Sequence, residues 1–220
     1  MQKDRFYFIV VIFLSSIFYV SANDVQDNEN KMAFKGYSGG MMLHAGYAQS
    51  GLFSLYEDDE VIYTVRLRSA AFGIGGAMRV MFGNHLRVGM EGYATNSKLN
   101  KLGGYSSAGW GGILLDSKWE IKRWTVFCGG SFGGGGYKSV LIPDYNKYEN
   151  NLKDFVIEDK VSYRSYPFIA VAPFVGMEYS ITDRVHFVAK IDYLFSVSKH
   201  SQDFVTGPRL FLGFMFCHWK

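Results

Sequence analysis

The chain has 220 residues, enough for one domain, with a formal net charge of +3, two cysteines and 17% aromatic residues. The aromatic content excludes a disordered chain, and the small net charge gives no basis for nucleic-acid binding. Two cysteines cannot build a disulfide framework or a Cys-only zinc site. We therefore expect a folded domain with no cofactor, no metal ion and no nucleic-acid partner.

The N-terminus has the pattern of an export signal. Lys3 and Arg5 precede the uncharged run Phe6–Val20, and the small residues Ser21 and Ala22 follow it. This order of basic, apolar and small residues is typical of a signal peptide. The apolar run has 15 residues, whereas a membrane-spanning helix needs about 20. We predict a cleaved signal peptide at 1–22, and hence an exported protein.

The remaining chain alternates between apolar residues and small or charged residues. A period of two is typical of β-strands with one apolar face, because successive side chains point to opposite sides. The clearest apolar rows occupy every second position of Phe72–Phe82, Leu86–Ala94, Ile169–Tyr179, Val185–Phe195 and Leu210–Phe216. Weaker segments at 39–48, 108–115 and 122–137 bring the predicted number of strands to eight.

The predicted connections are alternately short and long. Short turns are expected around Gly83–His85, Asp116–Ile121 and Thr182–Arg184. The longer connections cover roughly 49–68, 97–107, 138–164 and 198–206. Short turns at one end and long loops at the other are typical of outer-membrane barrels.

Two details of strand phase follow from the apolar rows. These rows keep the same parity across each short turn, which predicts an odd number of residues in every turn. Val61, Tyr63, Val65 and Leu67 are out of phase with Phe72, which predicts a bulge near Ser69–Ala71 below an extramembrane extension of the strand.

The alternation alone fits two barrels. A soluble lipocalin-like barrel would turn its apolar row inward, whereas an outer-membrane barrel would turn it outward. The residues that alternate with the apolar row are rich in glycine. Glycine suits the narrow lumen of an eight-stranded barrel better than a surface that faces water. We therefore predict an all-β, eight-stranded antiparallel up-and-down transmembrane β-barrel over residues 37–220, after a periplasmic lead-in at 23–36.

Charged residues in the inward row are expected to form a lumen network. Register through the short turns places Arg79 diagonal to Glu91 and Glu178 diagonal to Lys190, within cross-strand reach. The predicted lumen network consists of Arg79, Arg87, Glu91, Glu178, Lys190, Asp192 and Arg209.

Aromatic residues gather near the predicted strand ends. Amphipathic rings are favoured at the membrane interface, although ordinary packing of aromatic residues in strands gives a similar pattern. The predicted aromatic girdle consists of Phe82, Trp110, Trp119, Trp124, Tyr179 and Trp219.

With this signal peptide, strand count and turn pattern, the chain resembles the small eight-stranded outer-membrane barrels of the OmpX and OmpA transmembrane-domain type. Its last strand, Arg209–Trp219, alternates and is rich in aromatic residues, although Trp219 is penultimate and out of phase with the Leu210–Phe216 row. The resemblance implies recognition of this strand by the barrel-assembly machinery and contact with outer-membrane lipid and lipopolysaccharide. It also implies periplasmic termini and extracellular long loops in a diderm bacterium.

Motifs for chemistry are weak. The glycines of Gly129–Gly136 contain neither G-x-G-x-x-G nor a P-loop, so we interpret them as small lumen-facing residues. The five histidines lack metal-ligand spacing, and Cys128 and Cys217 are predicted on non-adjacent strands with opposite facings. His200-Ser201-Gln202-Asp203 is the one cluster that suits a lipid-modifying barrel enzyme, but adjacent residues on an extended segment point apart.

The function predicted from sequence is non-enzymatic. Long loops with an acidic run, Glu57–Glu60, and a tyrosine-rich segment, Tyr145–Arg164, suit surface binding, adhesion or envelope integrity, although loops are polar in any case. No catalytic residue is assigned. A narrow pore and an outer-membrane lipid-modifying enzyme remain as alternatives.

Overall fold

The computed structural model describes residues 33–57, 60–99, 104–141, 162–197, 204 and 206–219. The predicted signal peptide at 1–22 and most of the lead-in at 23–36 lie outside the described residues. The strands are β1 (Phe34–Glu57), β2 (Glu60–Phe82), β3 (Leu86–Leu99), β4 (Gly104–Ile121), β5 (Trp124–Leu141), β6 (Ser162–Ser180), β7 (Val185–Tyr193), β8 (Phe195–Ser196) and β9 (Pro208–Trp219).

The strands form one closed antiparallel ring. From β1 to β7 each strand pairs with the next one along the chain, and β9 pairs with both β7 and β1, which completes the circle. β7 and β8 pair with consecutive parts of β6 and are separated only by Leu194, so they form one interrupted strand. The predicted eight-stranded antiparallel barrel is thereby confirmed.

Short turns lie at one end of the ring, beside the start of β1. Gly83–His85 joins β2 to β3, Ile181–Arg184 joins β6 to β7, and the Gly83 N–H donates to the Ala33 carbonyl at 3.0 Å. The strand ends that the longer connections join lie at the opposite end. In an outer-membrane barrel the short-turn end is periplasmic and the long-loop end is extracellular.

The third short turn differs from its prediction. Asp116–Ile121 belongs to β4, and the turn is Lys122-Arg123, with Ile121 opposite Trp124. Lys122 adopts a φ of 59°, as two-residue hairpin turns require of their first central residue. Because two residues separate the strands, the outward row changes parity, and the prediction of an odd-numbered turn was wrong here.

The apolar row of every strand faces outward. Ile113 is 68% exposed and Phe216 is 63% exposed, whereas the side chains of Arg79, Arg87 and Lys190 are fully buried. A soluble barrel would show the reverse arrangement, so the lipocalin-like alternative is excluded. An apolar exterior around a polar interior is the arrangement of a transmembrane barrel.

Glycines occupy both faces of the barrel. A Cβ on the inward Gly135 would lie 2.7 Å from the Cα of Trp110, whereas one on the outward Gly136 would meet nothing within 4 Å. The prediction that the Gly129–Gly136 glycines face the lumen is therefore only half correct. Outward glycines also stand in register across β2–β5 and form the floor of an exterior apolar groove of about 880 Å³; they are Gly76, Gly92, Gly111 and Gly134.

The predicted bulge lies on the neighbouring strand. Pairing shifts from Gln49 opposite Arg68 to Leu52 opposite Arg66, so the extra residue lies at Ser50-Gly51 of β1. The Leu67 N–H donates to Ser50 Oγ at 2.9 Å. Leu67 is buried and in phase with the inward residues of β2, so the bulge predicted at Ser69–Ala71 was wrong. Leu67, the described side chain of the out-of-phase row, therefore points into the barrel.

Candidate functional site: the lumen and its extracellular mouth

A buried ion cluster fills the periplasmic half of the lumen. Glu178 Oε1 accepts hydrogen bonds from Arg79 Nη1 at 2.8 Å and from Arg87 Nη1 at 2.7 Å. Arg87 Nε also donates to Asp116 at 2.5 Å, and Arg79 Nε lies 3.5 Å from the same carboxylate. His186 Nδ1 lies 3.5 Å from Glu178 Oε2. Two carboxylates thus neutralise two guanidinium groups.

An aromatic ring closes this cluster. The guanidinium carbons of Arg79 and Arg87 lie 4.8 Å and 4.9 Å from the centre of the Phe127 ring. The ring shields both cations from water and interacts favourably with their charge. Phe127 is fully buried, and its ring lies 6.0 Å from that of Phe174.

A second ion cluster lies in the middle of the lumen. Glu91 accepts hydrogen bonds from Lys190 Nζ at 2.8 Å, Tyr93 OH at 2.9 Å and Ser131 Oγ at 2.6 Å. Asp192 accepts a bidentate pair from Arg209, at 2.8 Å to Nε and 2.7 Å to Nη2. Bidentate guanidinium–carboxylate pairs are among the stronger hydrogen-bonded contacts.

The predicted partners differ from those in the structure. Arg79 and Glu91 stand diagonally across β2 and β3, as do Glu178 and Lys190 across β6 and β7. These four residues instead pair as Arg79 with Glu178 and Lys190 with Glu91, between strands on opposite sides of the ring, because the narrow lumen lets the long side chains reach across it. All seven predicted residues lie in the lumen.

Asp116 is an additional member of the lumen network. It was missed because Asp116–Ile121 was predicted to be a turn, whereas Asp116 pairs with Arg87 inside the sheet. With Asp116 included, Arg79, Arg87, Lys190 and Arg209 face Glu91, Asp116, Glu178 and Asp192. The charges of these two clusters therefore balance, and the buried Lys118 pairs with the exposed Glu120.

Aromatic side chains close the extracellular mouth. Phe204, from the last long connection, packs its ring 5.3 Å from Tyr137 and 4.7 Å from Phe168. All three side chains are buried. Below them, a cavity of about 30 Å³ lies beside Arg209, a volume on the scale of one water molecule.

Trp110 belongs to this interior and not to the membrane interface. Its side chain is 5% exposed, and the Arg209 guanidinium lies 5.8 Å from its ring. Trp110 alternates with the outward Gly109 and Gly111, so it must point inward. Its assignment to the aromatic girdle was wrong, because Gly-Trp-Gly does not reveal which residue is outward.

The other predicted girdle residues lie near the short-turn end. Trp124 is 48% exposed, and its ring lies 4.8 Å from that of Tyr179. Phe82 and Trp119 are partly exposed on the outward row. The backbone of Trp219 pairs with Gly36, and its side chain lies outside the described residues.

His44 and the two cysteines lie outside the two ion clusters. His44 Nε2 lies 2.9 Å from Thr95 Oγ1, and Cys128 and Cys217 are free thiols on β5 and β9. Among the described residues, no group of His, Cys, Asp and Glu could hold a metal ion. The sequence cluster His200–Asp203 lies outside the described residues.

No family model and no curated protein matches the chain. Its structure is similar to OprG from Pseudomonas aeruginosa, with a TM-score of 0.53, 12% identity, and coverage of 87% of this chain and 99% of that one. Neisserial surface protein A gives a TM-score of 0.46 at 15% identity, covering 82% and 96%. Ail of Yersinia pestis, in complex with sucrose octasulfate, gives 0.43 at 16% identity, covering 84% and 99%.

The chain has the fold of the small outer-membrane β-barrels. The strands pair with one another around the ring, as a lipid environment requires, and the apolar exterior matches a bilayer. The protein is therefore an integral barrel of the bacterial outer membrane. No helix among the described residues is long and apolar enough to cross a membrane.

Proposed function

We propose that the protein is a non-enzymatic, closed outer-membrane barrel that presents its extracellular loops for binding or adhesion at the cell surface. The observation that carries this proposal is the filled lumen. The ion clusters around Glu178 and Glu91 pair opposite charges, and Phe204 packs across the mouth. Such an interior supports a rigid platform better than a transport path.

The filled lumen also argues against the narrow-pore alternative. Ions crossing the barrel would have to separate buried ion pairs whose isolated charges are costly. In planar bilayers we expect the purified protein to give no stable single-channel steps under conditions in which a porin conducts. Reproducible steps that depend on protein concentration would contradict the closed barrel.

A long hairpin supports the surface role. β1 and β2 have 24 and 23 residues, whereas about 9–11 residues cross a membrane. Beyond Gln49 opposite Arg68, their pairing continues to Glu57 opposite Glu60. Eight further residues at about 3.3 Å each extend the hairpin by roughly 26 Å along the strand. The last pair of the hairpin backbone, Glu57 opposite Glu60, thus lies well away from the bilayer.

Adhesion tests this role directly. Replacing residues 55–63 with Asn-Gly joins Ser54 to Thr64, which already face each other, through a turn that suits a hairpin. We expect cells carrying this variant at wild-type surface abundance to adhere less to immobilised matrix proteins. A full-length variant with Glu57→Gln, Asp58→Asn, Asp59→Asn and Glu60→Gln separates the effect of charge from that of length. Equal adhesion by all three proteins would contradict the proposed role of the hairpin.

A further inference from the structure

A gap opens in the barrel wall at its extracellular end. β7 pairs with β9 as far as Tyr193 opposite Pro208, and proline has no N–H with which to continue the ladder. Beyond it, Thr206 exchanges two hydrogen bonds with Gln49 of β1, at 2.7 Å and 2.9 Å. The chain before β9 therefore follows β1, and within the described residues β8 pairs only with β6.

The gap holds a cavity of about 430 Å³, within the range of small-molecule sites. Tyr47 and Tyr193 line it from the outer surface, and the Tyr193 ring stacks on Phe195 at 4.3 Å between centroids. Gln49, Ser196 and Thr206 supply polar groups. No charged side chain belongs to the described lining.

Ser196 provides a separate indication of a ligand. Ser196 lines the cavity, and its Oγ is buried and has no hydrogen-bond partner among the described residues. A buried hydroxyl without a partner costs free energy, and a bound hydroxyl group would satisfy it. An uncharged cavity disfavours sulfate or phosphate groups, which would be buried without a cation, and a purely apolar ligand would leave Ser196 unsatisfied.

We propose that this cavity binds an uncharged saccharide ring. The C–H face of the sugar packs on Tyr47 and Tyr193, whose rings offer an apolar face beside a polar tip. The sugar hydroxyl groups bond to Ser196 Oγ and to the Gln49 amide. The sugar belongs either to a free saccharide or to the headgroup of a glycolipid in the outer leaflet. This inference deepens the proposed surface-binding function and rests on it.

Calorimetry on the folded full-length barrel tests the proposal with defined probes. One arm titrates maltose, lactose and chitobiose into protein in phosphatidylcholine nanodiscs. The other compares nanodiscs with and without a monoglucosyl diacylglycerol. Saturable binding of a free disaccharide indicates a soluble ligand, whereas binding only in the second arm indicates a glycolipid. No binding in either arm would overturn the proposal.

Variants locate the binding. Ser196→Ala removes one neutral hydrogen bond, so we expect affinity to fall about threefold to tenfold, and Tyr193→Ala to lower it by a similar factor through the lost ring contact. Gln49→Ala provides a further probe if Tyr193→Ala fails to fold, as judged by heat-modifiable migration. Tyr105→Ala, an exposed tyrosine on β4, is the control and should bind like wild type. Equal affinity of Ser196→Ala and Gln49→Ala to wild type would overturn the assignment.

The two proposals can fail separately. The variant lacking residues 55–63 retains the cavity, so it should bind the sugar as wild type does even where it loses adhesion. Lost adhesion in that variant, with no sugar binding by any protein, would overturn the saccharide site and leave the surface function standing. Sugar binding without any change in adhesion would contradict the hairpin's role and leave the saccharide site standing.

Discussion

Arg79 and Glu178 are joined by a 2.8 Å hydrogen bond across the full width of the barrel. Arg79 lies on β2 and Glu178 on β6, four strands apart in a ring of eight. Glu91 on β3 and Lys190 on β7 form a second bridge between opposite strands, at 2.8 Å. Two such bridges brace the ring from inside.

The first prediction concerns Glu178. Glu178→Ala removes the carboxylate shared by Arg79 and Arg87 and leaves buried positive charge without compensation. Breaking a buried pair in this way costs about 3–5 kcal/mol, so we expect the free energy of unfolding to fall by that order. Reversible urea unfolding in lipid vesicles, followed by tryptophan fluorescence, measures the change.

Asp183→Ala is the matched control for Glu178→Ala. Asp183 is an exposed acidic residue in the turn that follows β6, where substitutions usually change stability by no more than about 0.5 kcal/mol. Equal unfolding free energies for both variants would mean that Glu178 is not buried against the two arginines.

The second prediction distinguishes opposite-strand pairing from neighbouring-strand pairing. A double-mutant cycle between Glu91→Ala and Lys190→Ala should give a coupling energy of about 1–3 kcal/mol, because these residues share a direct contact. The cycle between Glu178→Ala and Lys190→Ala, which are diagonal neighbours in register, should be additive to within about 0.5 kcal/mol. Strong coupling only in the second cycle would refute the observed partners.

The third prediction uses two adjacent glycines. Gly135 faces inward against Trp110 of β4, and a Cβ there collides with the neighbouring backbone. We expect Gly135→Ala to destabilise the barrel by about 1–3 kcal/mol through overpacking. Gly136→Ala enters open space on the exterior and should leave stability unchanged or raise it by up to about 1 kcal/mol. A reversed order of unfolding midpoints would show that the two facings are exchanged.

The fourth prediction concerns depth in the membrane. Ile113 lies midway along β4 on the exterior, whereas Ile121 ends the same strand beside the short turn. Arginine at the bilayer midplane costs about 2–4 kcal/mol, and near the interface about 0–1 kcal/mol. We expect Ile113→Arg to reduce folding into vesicles far more than Ile121→Arg does. Similar folding yields would argue against hydrocarbon around Ile113.

Local patterns predicted the barrel well. Alternation at Phe72–Phe82 and Val185–Phe195 depends only on the backbone pleat, so one sequence is enough to assign strands and facings. The inward position of Arg79 and Lys190 follows from the same phase. These features need no knowledge of how the ring closes.

Features that depend on ring closure were not predictable. The partner of Glu178 is decided by which strand lies opposite, and sequence register describes only neighbouring strands. The Lys122-Arg123 turn lacks the Gly, Asn or Asp that normally marks a two-residue turn, so Asp116 was placed outside the sheet. Trp110 stands between two glycines, so no alternation of apolar and small residues shows whether it points inward or outward. Phe204 reaches the lumen through tertiary packing alone.

Spin-label accessibility at two adjacent residues tests the orientation of the wall most directly. Nitroxide labels on Ile113→Cys and Leu114→Cys, in a background of Cys128→Ser and Cys217→Ser, compare an exposed side chain with a fully buried one. We expect the label at position 113 to be strongly relaxed by oxygen, which concentrates in hydrocarbon, and the label at 114 to be relaxed by neither oxygen nor a water-soluble nickel complex. Strong relaxation by the nickel complex at position 113 would contradict this orientation.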